Sequence, residues 1–366
     1  MPSMNVRDLL RLSAIPGIGA NRMRVLISRF GSSTAVLDAP ARELIKVEGI
    51  DKKLASNIAH QTITEDFLDD QLSRLNKVDG RIITIWDDEY PEHLRKIFDP
   101  PALLFVAGAI EKRDRFSIAI VGTRRPSAYG NTMAERFAGA LAEMGITIVS
   151  GLARGVDTIA HRTALQTDSR TLAVIGSGLD YIYPPENKKL AARIEQGGAV
   201  ISEFFMGTKP DPGNFPRRNR IISGISLGTL VVETAENGGA MITASAALDQ
   251  NRELFAVPGN ITEKNSVGTN LLIRDGQAKL VQSVDDIVVE LAMQLKPLVG
   301  SPAVKPLPQL TVFEQSVYET LEATPIQIDE IIERTGFSPS DTLVHLLGLE
   351  FKGMIRQLAG KYFVRL

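Results

Sequence analysis

Basic and aromatic side chains are concentrated in the segment Phe215-Pro216-Arg217-Arg218-Asn219-Arg220. Proline fixes φ for the first turn of a helix, so the segment predicts a helix whose opening turn offers free backbone N–H groups and arginines to one anion. Arginine binds phosphate through two parallel hydrogen bonds, and arginine and phenylalanine both stack on nucleobases. These residue types therefore predict a site for phosphates and bases.

A second basic loop lies in the segment VGTRRPSAYG, residues 121–130, directly after an apolar strand. Gly122 ends the predicted strand, and Arg124, Arg125 and Ser127 precede the next helix. Ligands of open α/β sheets bind outside the carboxyl ends of the strands. We expect Ser127 to donate to a phosphate oxygen that the two arginines neutralise, the alternative being an exposed basic turn.

The segment SGLARGVDTIAH, residues 150–161, repeats this strand–loop–helix pattern. Gly151 would let the backbone approach a ligand closely, and Arg154 adds a positive charge. Asp157 and His161 are four residues apart on the predicted helix. They could form an acid–base pair. More commonly, such an aspartate caps the helix and such a histidine is buried in the core.

A carboxylate that could do chemistry lies in VVETAENGGAMITA, residues 231–244. Glu233 ends a predicted strand, and Gly238-Gly239 open a helix that could hold a phosphate. Glu233 could stabilise an oxocarbenium ion in N-glycosidic cleavage or, as we favour, accept hydrogen bonds from a neighbouring loop. Farther along, Asn265 and Asn270 are candidates either to bind sugar or phosphate or to cap the backbone.

Composition excludes several classes of function. Cysteine is absent, four histidines are widely spaced, and the net charge is −2. We therefore expect no metal site, no cofactor and no global attraction to nucleic acid, so that any anion site must be a local pocket of arginines. The N-terminus lacks an apolar signal region and no stretch reaches about 18 apolar residues, which predicts a cytoplasmic protein without a membrane span.

The chain divides by pattern into an all-helical region (1–79), an α/β region (80–296), a proline-rich linker (297–310) and a small third region (311–366). Strands and helices alternate in the α/β region, which predicts a Rossmann-like parallel sheet with helices on both faces. The last region has three helical stretches followed by a hairpin with Gly360 at its turn, as in a winged helix. The first region contains two units that resemble helix-hairpin-helix motifs of a SAM-like domain, with Gly17 and Gly49 at the turns, the alternative being tight helical corners.

Several long motifs together resemble the DNA-processing protein DprA (Smf) family. They are IVGTRRPSAYG, SGLARGVDTIAH, YPPEN, FPRRNRIISGIS, GGAMITA and GTNLLIRDG, in that order. The resemblance covers about residues 80–290, and the end regions are similar to that family's helical and winged-helix domains. It departs from the family at Asn237-Gly238-Gly239 and at Gln277, outside the arginine loops.

The resemblance implies a function without catalysis. It implies binding of single-stranded DNA, protection of incoming strands in natural transformation, help in displacing single-strand binding protein, loading of the RecA recombinase, and a homodimer. A nucleotide phosphoribohydrolase using Glu233 is the alternative, although the PGGxGTxxE pattern of such enzymes is missing. The DNA contacts implied by the resemblance, by position or by the basic segments are Gly122, Arg124, Arg125, Ser127, Gly151, Arg154, Lys209, Phe215, Arg217, Arg218 and Asn219.

Overall fold

The computed structural model describes residues 4–60, 62–299, 310–322, 324–352, 354–358 and 360–365. The chain divides into two compact units, residues 1–299 and residues 300–366. The first unit holds the helical and α/β regions, and the second holds the C-terminal region. No helix in the described ranges combines the length and the apolarity that crossing a membrane requires.

The N-terminal helices include two units of a helix, a tight turn and a second helix, as the sequence predicts. Gly17 (φ +92°) and Gly49 (φ +80°) lie in the turns that precede the second helix of each unit, and both have the left-handed backbone that glycine adopts without strain. The helices are α1 (Val6–Ala14), α2 (Ala20–Phe30), α3 (Ser33–Asp38), α4 (Ala41–Leu44), α5 (Lys52–Ala59) and α6 (Glu65–Asn76).

These helices share a hydrophobic core with the α/β region. Phe67 on α6 packs edge-on against Phe205, with 5.7 Å between the ring centroids. The Gln71 amide donates to the Met206 carbonyl at 3.2 Å and accepts from the Met206 N–H at 2.8 Å. The boundary predicted near residue 80 therefore separates two secondary-structure patterns within one packed unit.

Nine strands of the first unit form one sheet in the order β1-β2-β6-β5-β4-β3-β7-β8-β9 within the described residues. The strands are β1 (Gly80–Thr84), β2 (Leu103–Gly108), β3 (Ser117–Val121), β4 (Thr147–Ser150), β5 (Thr171–Val174), β6 (Ala199–Ser202), β7 (Gly228–Val231), β8 (Glu253–Ala256) and β9 (Lys279–Leu280).

The predicted parallel sheet is confirmed for the run from β6 to β9, where every pair is parallel. At the other edge β1 pairs with β2 and β2 pairs with β6 in antiparallel register. The sheet is therefore mixed.

Helices cover both faces of the sheet, as predicted. The helices are α7 (Glu92–Arg95), α8 (Ala128–Glu143), α9 (Val156–Gln166), α10 (Lys188–Gly197), α11 (Asn214–Ile225), α12 (Gly239–Asp249), α13 (Val267–Arg274), α14 (Val284–Glu290) and α15 (Ala292–Val299). Along β3, Ile118 and Ile120 face the core with α8, α9 and α14, whereas Ala119 and Val121 face the core with α11 and α12.

The predicted linker begins too early. Helix α15 includes Pro297 and runs to Val299, so residues 297–299 are helical. Residues 300–309 of that prediction lie outside the described residues.

The second unit is a winged helix, as predicted. Its elements are α16 (Val312–Glu319), β10 (Ile326–Gln327), α17 (Ile328–Thr335), α18 (Pro339–Phe351), β11 (Ile355–Leu358) and β12 (Tyr362–Arg365). Its three strands pair in the order β10-β12-β11, and Val317, Ile331 and Phe363 are among the buried side chains of its core.

A buried ion pair joins the start of β3 to β5. Asp114 is 3% exposed and accepts two hydrogen bonds from Arg170, both at 2.8 Å. Without Asp114, the buried Arg170 would keep only Glu111, whose side chain is 43% exposed, and the carbonyls of Ala109 and Gly197 as partners. We therefore expect Asp114→Ala to lower the free energy of unfolding by about 3 kcal/mol. Fluorescence of Trp86, the only tryptophan, would report unfolding of the first unit in urea.

The matched control for this prediction is Arg113→Ala in the same segment. Arg113 is 61% exposed and pairs with Glu111 at 2.8 Å, and exposed pairs contribute about 0–1 kcal/mol. Equal destabilisation by the two variants would contradict the structural role of the buried pair.

Candidate nucleic-acid interface

A cavity of about 630 Å³ lies at the carboxyl ends of β3 and β7, between the loops that follow them and helices α11 and α12. This is the crevice in which open α/β sheets bind ligands. The predicted site residues that line this cavity are Gly122, Arg124, Arg125, Phe215, Arg218 and Asn219.

Phe215, on the first turn of α11, connects the basic loops. The guanidinium carbons of Arg124 and Arg218 lie 5.4 Å and 5.9 Å from the centre of its ring. Cations within about 6 Å of an aromatic ring are attracted by its electron-rich face. The ring packs over Gly176, where a Cβ atom would come within 3.1 Å of it. Two arginines from separate segments of the chain therefore converge on one ring.

A second, narrow cavity continues the site past Phe215 and is lined by Gly151, Arg154 and Tyr183, among others. The rings of Tyr183 and Phe215 are 6.4 Å apart between centroids, and the Arg154 guanidinium lies 5.8 Å from the centre of the Tyr183 ring. Sequence reasoning did not select Tyr183. The available signal was that Tyr183 is the first residue of the family motif YPPEN, which follows β5.

Arg218 is a buried charge that ties α11 to the sheet. Its side chain is 5% exposed and donates to the carbonyls of Gly151 and Val174. Gly151 directly follows β4, and Val174 is the last residue of the neighbouring strand β5. Its Nε donates to the Asn219 side chain at 3.1 Å. Burial lowers the pKa of Arg218 to about 10, and nearby Asp157 opposes that shift. The guanidinium therefore stays charged at neutral pH.

The pair of Asp157 and His161 is structural. The Asp157 carboxylate accepts from the backbone N–H groups of Gly151 at 3.1 Å and Ala153 at 3.4 Å, and so holds the loop after β4. His161 is fully buried, its Nδ1 lies 2.6 Å from the Thr171 hydroxyl, and burial lowers its pKa to about 3. Asp157 therefore holds a loop and does not cap α9, whereas His161 is a buried neutral histidine, as one of the sequence alternatives predicts.

Arg124 and Arg125 present unpaired charge to the cavity. Both side chains are exposed, and within the described part of the chain neither has a carboxylate or hydrogen-bond partner. Asn265, which also lines the cavity, donates to the Arg125 carbonyl at 3.0 Å and fixes that loop. Asn270 bonds both backbone groups of Gly259 and is structural. Free guanidiniums on a fixed loop are suited to an anionic ligand.

Ser127 does not fill its predicted role. Its N–H donates to one oxygen of Glu233 at 2.9 Å and its hydroxyl to the other at 2.5 Å, while the same hydroxyl caps α8 by accepting from Gly130. Ser127 lines neither cavity. The hydrogen bonds of Ser127 are therefore made within the protein. The carboxylate of Glu233, which is 3% exposed, is occupied by the same hydrogen bonds.

Arg217 and Lys209 are exposed and line neither cavity. Arg217 is turned away from Phe215 by the helical spacing of α11: its guanidinium lies 5.0 Å from the Phe204 ring and 3.9 Å from Glu203. The sequence prediction placed three guanidiniums on one anion, but in the structure only Arg218 of that segment lines the cavities. Arg220 pairs with Glu203 and donates to the Asp99 carbonyl.

Comparison with known proteins gives the family of this chain. The model of the family described as DNA recombination-mediator protein A matches residues 81–292, more than half of the chain. The chain belongs to this family. The matches on either side are a SAM-like helix-hairpin-helix tandem at residues 8–61 and a DprA winged helix domain at residues 301–361.

Relatives of the family support this assignment. The chain is 40% identical to Protein Smf of Escherichia coli over 307 residues, 81% of this chain and 80% of that protein. It is 42% identical to DNA processing protein DprA of Streptococcus pneumoniae over 207 residues, 57% of this chain and 73% of the relative.

Two solved structures of the family are similar. The X-ray structure of DprA from Streptococcus pneumoniae covers 79% of this chain and 98% of its own, with a TM-score of 0.69 and 32% identity. A structure of DNA processing protein A from Helicobacter pylori, from work on that protein's single-stranded DNA binding mode, covers 59% of this chain and 96% of its own, with a TM-score of 0.53 and 31% identity.

Gly151 has a packing role that a substitution would reveal. A Cβ atom there would lie 2.6 Å from Nη1 of Arg218 and 2.7 Å from Oδ2 of Asp157. Overpacking of this kind lowers the free energy of unfolding by about 1–3 kcal/mol, which we expect for Gly151→Ala in urea unfolding followed by Trp86 fluorescence. Gly197→Ala, where a Cβ atom would meet nothing within 4 Å, is the control and should be neutral. Equal stability of the two variants would contradict the packing role.

Proposed function

We propose that this protein is a recombination mediator that binds single-stranded DNA at the carboxyl edge of its sheet. The observation that carries the proposal is the convergence of Arg124 and Arg218, from separate segments, on the ring of Phe215. Aromatic rings beside a positively charged groove are the usual means of binding single strands without sequence preference.

Single strands suit this site better than duplexes. Phe215 can stack only on a base whose face is free, and the bases of a duplex are covered by their neighbours. Membership of the family supports the same choice, as does the single-stranded DNA binding of the Helicobacter pylori relative.

We propose binding without catalysis, which disfavours the nucleotide phosphoribohydrolase alternative. An N-glycosidic enzyme would need the Glu233 carboxylate directed at substrate. Both Glu233 oxygens accept hydrogen bonds from Ser127, and Glu233 does not line the cavity. This arrangement supports a carboxylate that holds the Arg124 loop in place.

From the family resemblance we also propose that the protein protects incoming strands in natural transformation and loads RecA onto them in competition with single-strand binding protein. We further propose that it is a homodimer located in the cytoplasm. The test is RecA filament formation on DNA coated with single-strand binding protein. We expect the protein to accelerate it, and unchanged kinetics would count against the mediator role.

Two substitutions should separate the stacking and charge contributions to DNA binding. Phe215→Ala removes a stacking ring that contributes about 1–3 kcal/mol, so we expect affinity for an oligothymidylate to fall about tenfold with no change in its salt dependence. Arg124→Gln removes one phosphate contact, so the slope of log affinity against log salt should become shallower by about 0.7. Fluorescence anisotropy at several salt concentrations measures both quantities.

Phe98→Ala is the matched control for Phe215→Ala, because Phe98 is 97% exposed and lines neither cavity. It should bind as the unmodified protein does. If Phe215→Ala and Arg124→Gln also bind normally, the site is wrong.

The enzyme alternative predicts a different product. Incubation with nucleoside monophosphates should release no free base, as followed by chromatography. Release of base by the unmodified protein that Glu233→Gln abolishes would overturn the proposal in favour of the phosphoribohydrolase.

A further inference from the structure

The row of rings and guanidiniums does not end at Phe215. Tyr183 follows it, with ring centroids 6.4 Å apart and ring planes inclined by 38°, and the Arg154 guanidinium lies 5.8 Å beyond the centre of the Tyr183 ring. Tyr183 is 40% exposed, so part of its ring remains open to a ligand. The site therefore has two aromatic faces that could hold bases.

We propose that Tyr183 is a second base-stacking subsite, so that the strand is held by the bases of at least two nucleotides. This inference rests on the proposed binding of single-stranded DNA at Phe215. It adds a residue that binds a neighbouring base and a minimum length for the bound strand.

The gap between the two rings decides where the bases lie. The cavity there is about 20 Å³, enough for a water molecule but not for a base. Bases therefore stack on the exposed parts of the rings and do not insert between them.

Arg154 positions the Tyr183 ring. Its Nε donates to Glu186 at 2.5 Å, and this hydrogen bond lowers the pKa of the Glu186 carboxyl below its ordinary value. The charge of Arg154 is thus already paired, in contrast to Arg124. Its contribution is to hold the tyrosine ring at the end of the row, and phosphate neutralisation falls to Arg124 and Arg125.

Tyr181 provides a matched control for Tyr183. It lies in the same loop, is 39% exposed, and lines neither cavity. We expect Tyr183→Ala to weaken binding of an oligothymidylate about fivefold or more, with an unchanged salt slope because no phosphate contact is lost. Tyr183→Phe keeps the ring and should bind within twofold of the unmodified protein, as should Tyr181→Ala.

A strand with abasic sites distinguishes stacking from an indirect effect on the fold. If Tyr183 acts on a base, Tyr183→Ala and the unmodified protein should bind a fully abasic oligonucleotide equally, because the two changes remove the same interaction. A loss that persists on the abasic strand, or normal binding of the oligothymidylate by Tyr183→Ala, would overturn the inference.

The failures of the two proposals are distinguishable. If the unmodified protein does not bind single strands, the proposed function is wrong. If it binds and Phe215→Ala weakens it while Tyr183→Ala does not, only the second subsite is wrong.

Discussion

The candidate site depends on the hydrogen bonds that the buried guanidinium of Arg218 makes to the sheet. It donates to carbonyls at the ends of β4 and β5 and thereby fixes the first turns of α11 against the sheet. Burying a charge is expensive unless hydrogen bonds and an opposite charge compensate it, and here two carbonyls, Asn219 and the nearby Asp157 do so. Because this network is satisfied, Phe215 on the same turn is held in one place.

The surrounding loops are fixed by the same kind of interaction. Asp157 holds the loop after β4 through two backbone N–H groups, and Glu233 holds the loop after β3 through Ser127. Three buried charged groups therefore use their hydrogen-bonding capacity to position backbone. The exposed guanidiniums of Arg124 and Arg125 are left to meet a ligand, which explains how a chain of net charge −2 can present a cationic site.

The separation of buried charged groups from exposed arginines and rings supports the proposed function. Groups that could act as catalysts, namely Glu233 and His161, are buried and hydrogen-bonded within the protein. The cavities are lined by Arg124, Arg125, Arg154 and Arg218 and by the rings of Phe215 and Tyr183. These side chains can bind a ligand without reacting with it. Such a surface suits the proposed binding of a strand without catalysis.

The sequence by itself determined the alternation of strands and helices, the parallel run of the sheet and the strand-end position of the basic loops, because local patterning and the family's long motifs encode them. The basic pattern alone could not decide which arginine of the segment Arg217–Arg220 lines the cavities, since that depends on the rotation of α11 against the sheet. Nor could it reveal that Ser127 is bound to Glu233, about a hundred residues away, or that Tyr183 joins Phe215. These contacts bring together residues that are distant in the chain, and only tertiary packing fixes them.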